Sequence, residues 1–163
     1  MSDVPTTATP PLRHETTAGN YFVANYPPFE FWKPEFVGQF ETALDRPRLT
    51  LDSQRSTIFG QYVHIPFCRK RCHFCYFKVY TDKDSSEVRG YLDALLSELN
   101  VYARKPAIRG RKPRFVYFGG GTPSYLSPDQ LNFLTDGMKR LLSWEEVEEV
   151  TFEAEPGTLT DHK

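Results

Sequence analysis

The chain has 163 residues, of which 39% are hydrophobic and 25% are charged, and its net charge is −1. These values are typical of a globular domain with one core. A net charge this close to zero gives no general attraction to nucleic acid or to a membrane surface, so we expect neither as a partner. No apolar run approaches the roughly 20 residues that a membrane-spanning helix needs. The N-terminus lacks the layout of a secretory signal and the arginine content of a transit sequence, which predicts a cytoplasmic protein.

The first 60 residues are predicted to lie outside the main domain. Residues 1–20 are rich in threonine and proline, and we expect a disordered arm because they cannot bury enough surface to offset the entropy of ordering. Residues 21–60 are predicted to form an N-terminal extension. Its aromatic run at 21–32 is interrupted by prolines, which favour extended or turn conformations. A short helix is predicted from Pro34 to Leu44, and an irregular connector over residues 50–57.

Strands alternate with helices from residue 61 to residue 163. The apolar periodicity predicts five elements, namely strands at Gln61–Pro66, Phe115–Phe118 and Glu149–Phe152 and helices at Ser86–Arg104 and Ser127–Leu142. Strands that are joined by helices form right-handed crossovers in a parallel sheet. The sequence therefore predicts an α/β fold.

Both predicted helices carry start signals and an apolar face. Ser85 and Ser86 are candidate N-caps of the first helix. In the second helix Ser127 and Gln130 have the spacing of a capping box, with proline at the first helical position. The apolar faces that we expect to enter the core consist of Val88, Tyr91, Leu92, Leu95, Leu96, Leu99 and Tyr102, and of Leu131, Leu134, Met138 and Leu141.

The basic run from Lys105 to Arg114 connects the first helix to the second strand. Its five cationic side chains are predicted to form a solvated turn. A docking patch for an electron donor or an anionic substrate is the alternative interpretation.

All three cysteines follow the first predicted strand within eight residues, with the spacing C-x3-C-x2-C. Three thiolates this close together indicate a metal centre, and soft sulfur ligands select iron–sulfur clusters, zinc or copper. Cys68, Cys72 and Cys75 are one ligand short of a closed zinc site or a fully cysteine-ligated cluster, so one iron of a cubane could remain open. The odd count and the short spacings disfavour disulfides. A zinc site with His73 as the fourth ligand remains an alternative.

Two further motifs follow the other predicted strands. The sequence Gly119-Gly120-Gly121-Thr122-Pro123 comes directly after the second strand, and Glu153-Ala154-Glu155-Pro156 after the third. The glycine loop matches neither common nucleotide-binding pattern. Parallel α/β sheets and barrels bind their ligands at the carboxyl ends of their strands, so we expect the cysteine loop and both motifs to meet there.

Together these motifs resemble those of the radical S-adenosylmethionine (SAM) superfamily. The cluster loop reads Tyr-x-His-Ile-Pro-Phe-Cys-x3-Cys-x-Phe-Cys, and with GGGTP and Glu-x-x-Pro it is most similar to the branch around oxygen-independent coproporphyrinogen III oxidase. The resemblance implies that residues 61–163 are the N-terminal portion of a radical SAM (β/α) partial barrel, preceded by an irregular aromatic and proline-rich extension. The family's barrel has further strands, so we expect this chain to be truncated relative to it.

The resemblance also implies the cofactors. A [4Fe–4S] cluster would be ligated by Cys68, Cys72 and Cys75. Its open iron would chelate SAM. The positions that match the family's contacts to this SAM are Tyr62, Gly120 and Glu153. The oxidase can hold a second SAM, and the positions that match the lining of that second site are Phe74, Gly121 and Thr122.

The implied activity is radical oxidation. An electron from a flavodoxin- or ferredoxin-type donor cleaves SAM to a 5′-deoxyadenosyl radical, and in the oxidase the outcome is oxidative decarboxylation of a tetrapyrrole in heme biosynthesis. One feature departs from the oxidase, in which a Gly-Cys pair follows the third cysteine. Here Tyr76-Phe77 follows Cys75. A heme chaperone and a methyltransferase that uses two SAM molecules are alternatives on the same scaffold.

Overall fold

The computed structural model of the chain describes residues 33–46, 58–75, 77–159 and 161. The predicted disordered arm and the aromatic run of the extension lie outside these residues, and so does the predicted connector at 50–57. The division of the chain into arm, extension and barrel portion therefore stays a prediction.

The described residues form three strands and three α-helices in the predicted order. Each lies within two residues of its expected ends if the 3₁₀ turn at Pro34–Phe36 is counted with the helix that follows it. The elements are α1 (Val37–Asp45), β1 (Gly60–Ile65), α2 (Ser85–Arg104), β2 (Phe115–Gly120), α3 (Pro128–Leu141) and β3 (Glu149–Phe152).

The sheet is parallel, with β2 between β1 and β3. Val63 and Phe152 flank Phe118 in the register of the three strands. This arrangement confirms the predicted α/β fold with helical crossovers. The carboxyl ends of all three strands lie at one edge of the sheet, as the parallel topology requires.

The hydrophobic core lies between the sheet and the helices α2 and α3. The strands contribute alternate residues, because successive side chains of a strand point to opposite faces. Each fully buried large side chain contributes about 1.5–3 kcal/mol to stability. The buried residues shared by strands and helices are Val63, Ile65, Val88, Leu92, Val116, Phe118, Leu134 and Met138.

The helix start signals were predicted correctly in one of two cases. Ser127 and Gln130 form the expected capping box at the start of α3. For α2 the prediction was wrong, because the N-cap is Asp84 rather than Ser85 or Ser86. Asp84 Oδ1 accepts a hydrogen bond from the backbone N–H of Glu87 at 2.8 Å, and the Glu87 carboxylate accepts one from the N–H of Asp84 at 3.1 Å.

Helix α1 is attached to the end of α2. The Leu44 carbonyl accepts a hydrogen bond from the N–H of Ala107 at 3.0 Å. Lys105 forms a salt bridge of 2.8 Å with Asp45. The helical part of the extension is therefore connected to the amino-terminal edge of the sheet, away from the carboxyl ends of the strands.

The outer edge of β3 pairs with no other strand in the part of the chain that the structure describes. Val150 on this strand is 52% exposed. In the same residues, no helix has the length and apolar character needed to cross a lipid bilayer.

Candidate cofactor site at the carboxyl ends of the strands

A cavity of about 400 Å³ opens at the carboxyl ends of the strands. Three segments form its walls: the cysteine loop after β1, the glycine loop after β2 and the Glu153–Glu155 segment after β3. Eight of the nine predicted site residues line it, all except Tyr62. These eight are Cys68, Cys72, Phe74, Cys75, Gly120, Gly121, Thr122 and Glu153.

Cys68 is the buried member of the cysteine group. Its backbone N–H donates to the Tyr80 carbonyl at 3.1 Å, so its position is fixed by the chain that returns from the loop. The Thr122 hydroxyl donates to Cys68 Sγ at 3.3 Å. Burial raises the pKa of the Cys68 thiol, and the hydrogen bond from Thr122 opposes this shift. A bound metal would deprotonate such a thiol on coordination.

Cys72 is exposed and Cys75 is half-buried. A turn joins them, in which the N–H of Cys75 donates to the Cys72 carbonyl at 3.1 Å. Arg71 Nη2 donates to the Cys75 carbonyl at 2.9 Å and closes the same turn. Among the described residues, no three side chains of cysteine, histidine or acidic type are already arranged around a common metal position.

The donor set nevertheless fits an iron–sulfur cluster. Three soft thiol ligands line one cavity, and sites of this kind often acquire their final geometry only when the metal binds. His73, the candidate fourth zinc ligand, packs edge-on against the Phe74 ring and is not among the residues that line the cavity. The structure therefore gives no support to the zinc alternative.

The glycine loop packs directly against the cysteine loop. The N–H of Gly121 donates to the Ile65 carbonyl at 2.8 Å, and the N–H of Thr122 donates to the Phe67 carbonyl at 2.9 Å. A Cβ atom on Gly121 would lie 2.9 Å from the Phe67 carbonyl oxygen and 3.0 Å from Cys68 Sγ. Gly120 has a φ of +114°, a conformation that side chains disfavour. Glycine is required here because the two loops approach so closely.

Glu153 is held in place by two hydrogen bonds from β2. Its Oε1 accepts from the Tyr117 hydroxyl at 2.6 Å, and its Oε2 accepts from the N–H of Gly120 at 3.2 Å. The hydrogen bond to Glu153 is the main cause that raises the pKa of Tyr117. Glu153 thus connects β3 to the glycine loop as well as lining the cavity.

Tyr62 does not line the cavity but is connected to it. Its ring stacks on Tyr117 with 5.8 Å between ring centroids. Its hydroxyl lies 3.4 Å from His64 Nδ1. Burial lowers the pKa of His64, and the charge of Glu153 opposes that shift. Tyr62 therefore belongs to an aromatic group on the sheet face opposite the helices.

Sequence reasoning did not single out Glu155, which belongs to the cavity wall after β3, or Ser124 and Thr158, which hydrogen-bond to its backbone. Glu155 lines the cavity, and its N–H donates to Ser124 Oγ at 3.1 Å. Thr158 Oγ1 donates to the Glu155 carbonyl at 2.6 Å. The hydroxyls of Ser124 and Thr158 are hydrogen-bonded to each other. The signal available in the sequence was the second acidic residue of Glu153-Ala154-Glu155.

The basic run at 105–114 lies at the opposite end of the sheet. It precedes β2, whereas the cavity lies after it. Several of its cations are paired with acidic residues. Lys105 contacts Asp45, Lys112 contacts Glu145 and Glu146, and Arg114 contacts Glu148. These pairs match the prediction of a solvated turn better than the alternative of a docking patch.

Comparisons with known proteins identify relatives of two kinds. The heme chaperone HemW of Haemophilus influenzae is 34% identical over 100 residues, which are 60% of this chain and 26% of the chaperone. The oxygen-independent coproporphyrinogen III oxidase of Escherichia coli is 35% identical over 95 residues, covering 58% of this chain and 20% of the oxidase. The corresponding oxidase of Synechocystis is 31% identical over 134 residues, which are 81% of this chain and 27% of the oxidase. The chain thus spans about a quarter of the length of these relatives. No family model matches it.

The solved structure of the E. coli coproporphyrinogen III oxidase HemN, described as a radical SAM enzyme, is similar in fold. Its TM-score is 0.58 at 27% identity, and the match covers 76% of this chain and 26% of HemN. The similarity agrees with the parallel sheet and with the motifs at its carboxyl ends. The chain is therefore a homologue of the HemN-like branch of the radical SAM superfamily, and the parallel α/β fold of its described residues matches part of the HemN fold.

Proposed function

We propose that the chain is the cofactor-binding part of a radical SAM enzyme. Cys68, Cys72 and Cys75 would hold a [4Fe–4S] cluster, and SAM would occupy the cavity beside it. One observation carries the proposal: the chain's only three cysteines line one cavity together with the glycine loop and Glu153. With both groups bound, the cluster supplies one-electron cleavage of the SAM sulfonium to a 5′-deoxyadenosyl radical. The protein positions the two groups and limits competing reactions.

Individual residues would contribute to this positioning and protection in different ways. Thr122 directs a hydroxyl at the sulfur of Cys68, and hydrogen bonds to cluster sulfurs tune the reduction potential. Gly121 lets the backbone approach that sulfur closely. Phe74 and Phe77 contribute apolar surface to the cavity wall, which would reduce the access of water to a bound cofactor.

As the reaction we propose oxidative decarboxylation of a tetrapyrrole. The match to the Synechocystis oxidase supports this, since it extends over 81% of the chain, whereas the match to the Haemophilus chaperone covers 60%. Heme binding without turnover is the second candidate, because chaperone and oxidase relatives are equally similar in identity. A transfer of methyl from SAM would instead favour the methyltransferase.

The proposal is tested first on the cluster. Anaerobic reconstitution with iron and sulfide should give about four irons per chain, and EPR of the reduced protein should change when SAM is added. Replacing any one of Cys68, Cys72 or Cys75 by alanine should abolish the signal. A reconstituted parent without iron, or cysteine variants that retain the parent's iron, would refute the cluster.

The substrate is tested next, on the protein at the full length of its relatives. Coproporphyrinogen III should be consumed with formation of 5′-deoxyadenosine. Stoichiometric heme binding without 5′-deoxyadenosine formation would replace the oxidase proposal by the chaperone. Transfer of labelled methyl from SAM to an acceptor would replace it by the methyltransferase.

A further inference from the structure

The cysteine loop carries two kinds of thiol. Cys68 is 8% exposed, its N–H donates to the Tyr80 carbonyl at 3.1 Å, and its sulfur accepts from the Thr122 hydroxyl at 3.3 Å. Cys72 is exposed and Cys75 is half-buried. Thiol–disulfide exchange requires the oxidant to reach a cysteine sulfur. Cys72 and Cys75 are therefore the accessible thiols of the loop, and Cys68 is the protected one.

A single turn holds Cys72 and Cys75 close together. The N–H of Cys75 donates to the Cys72 carbonyl at 3.1 Å, which is a hydrogen bond between residues three positions apart. Turns of this kind bring the two Cα atoms within about 7 Å, and disulfides span Cα separations of roughly 4.4–6.8 Å. Arg71 Nη2 donates to the Cys75 carbonyl at 2.9 Å and stabilises the same turn. The backbone can therefore accommodate a disulfide between these two cysteines without unfolding.

The charges beside the turn indicate which class of oxidant would react there. Arg69, Lys70 and Arg71 directly precede Cys72, and all three are exposed. Lys70 and Arg71 also line the cavity, whereas its acidic residues belong to the wall after β3. Clustered cationic side chains raise the local concentration of anions. A small anionic disulfide, such as glutathione disulfide, fits this surface.

We propose that Cys72 and Cys75 form a reversible disulfide in the cluster-free protein, with glutathione disulfide as the oxidant. One cysteine sulfur attacks glutathione disulfide and releases the first glutathione, and the other cysteine sulfur then displaces the second. Two cysteine thiols are oxidised, one glutathione disulfide is reduced to two glutathione thiols, and the cysteine protons pass to the released glutathiones. Because the disulfide removes two predicted cluster ligands, cluster assembly would require prior reduction. Only this last consequence rests on the proposed function.

The disulfide is tested on the metal-free chain. The chain is treated with glutathione disulfide, alkylated in denaturant with iodoacetamide and digested with trypsin. The basic residues at 69–71 direct cleavage between Cys68 and the other two cysteines, so the two parts are measured in separate peptides. Mass spectrometry should show the peptide 72–78 without alkylation and lighter than its reduced form by two hydrogen atoms, with Cys68 alkylated. Dithiothreitol should restore alkylation of Cys72 and Cys75.

Two variants and a denatured sample act as controls. Cys68→Ala should form the same disulfide, whereas Cys75→Ala should retain glutathione on Cys72. In urea the equilibrium constant for the disulfide against glutathione should fall at least about tenfold, because the turn no longer raises the effective concentration of the two sulfurs. A parent disulfide that includes Cys68, a parent that keeps both accessible thiols free, or an equilibrium constant unchanged by urea would refute the proposal.

Cluster uptake separates this proposal from the proposed function. A preformed [4Fe–4S] cluster is offered by a carrier protein in the absence of free sulfide or thiol. The reduced chain should accept the cluster, and the oxidised chain should accept it only after treatment with dithiothreitol. If the reduced chain takes up no iron, the proposed function fails while the peptide map still decides on the disulfide. If oxidised and reduced chains take up iron equally, the disulfide does not control assembly and that part of the proposal is refuted.

Discussion

The hydroxyl of Thr122 donates a hydrogen bond to Cys68 Sγ at 3.3 Å across 54 positions of sequence. This contact joins the glycine loop to the first predicted cluster ligand. A donor aimed at a ligand sulfur stabilises the more negative, reduced state of a cluster. Thr122 is buried, so the hydrogen bond is shielded from water.

Thr122→Val should lower the reduction potential of the reconstituted cluster. Valine has the same shape but no donor, and a hydrogen bond of about 1 kcal/mol corresponds to a shift on the order of 40 mV for one electron. A redox titration followed by EPR measures it, and Thr122→Ser should restore the parent's potential. Thr135→Val on α3 removes a hydroxyl away from the cavity and serves as control. A Thr122→Val potential equal to the parent's would contradict the prediction.

Gly121→Ala should destabilise the chain and impair cluster assembly. The new Cβ would lie 2.9 Å from the Phe67 carbonyl and 3.0 Å from Cys68 Sγ, so both loops must move apart. We expect a loss of about 1–3 kcal/mol in the free energy of unfolding, measured with urea. Gly90→Ala is the matched control, because nothing lies within 4 Å of its added Cβ in α2. It should stabilise the helix by about 0.5–1 kcal/mol. Equal effects of the two substitutions would count against the close packing.

The stability of the metal-free chain should fall at alkaline pH through Cys68. Burial raises the pKa of its thiol above the ordinary value of 9.0. Above pH 9 the unfolded chain therefore releases a proton that the folded chain retains. The contribution to stability is complete below that pH and is lost as the pH rises through the folded pKa.

Urea unfolding at pH 7 to 10 measures this decline. The tyrosines are the same in all variants, so their titration does not affect the comparison between variants. The decline should be shallower in Cys68→Ala than in the parent. Cys72→Ala removes an exposed thiol and is the matched control. Parallel curves for the parent and Cys68→Ala would contradict the assignment.

Arg69→Glu should slow reduction of the cluster by an acidic electron donor. Arg69 is exposed between the first two cysteines, and we propose that it attracts a flavodoxin- or ferredoxin-type protein. Stopped-flow reduction by flavodoxin should slow roughly two- to tenfold at low salt, with the difference shrinking as salt increases. Arg140→Glu on the exposed surface of α3 makes the same charge change elsewhere. Equal slowing in both variants would argue for a general charge effect and against docking at Arg69.

The sequence was sufficient to predict most of the fold. The helix periodicity of α2 and the capping box at Ser127 depend on nearby residues, so the pattern alone identified them. The N-cap of α2 was misplaced because Asp84 and Ser85 are both good caps. The carboxylate of Glu87, three residues after Asp84, decides between them.

The sequence predicted the parts of the candidate site that come directly after strands. It could not predict the contacts that depend on how the strands pair with one another. Cys68 and Glu153 follow strand ends, so their convergence followed from parallel topology. Tyr117 could not be linked to Glu153 without the β2–β3 register, in which Tyr117 pairs with Thr151. The hydrogen bond from the Glu155 N–H to Ser124 joins positions 31 residues apart, which no local pattern encodes.

The hydrogen bonds that join the glycine loop to the end of β1 are formed between backbone groups of the protein. Gly121 and Thr122 donate to backbone carbonyls of Ile65 and Phe67, and Cys68 is held by Tyr80. If oxygen destroyed the cluster, we expect these contacts to keep the sheet and the glycine loop in place. We therefore expect that loss of the cluster leaves a folded apoprotein. Its cluster could then be reconstituted with iron and sulfide without refolding the chain.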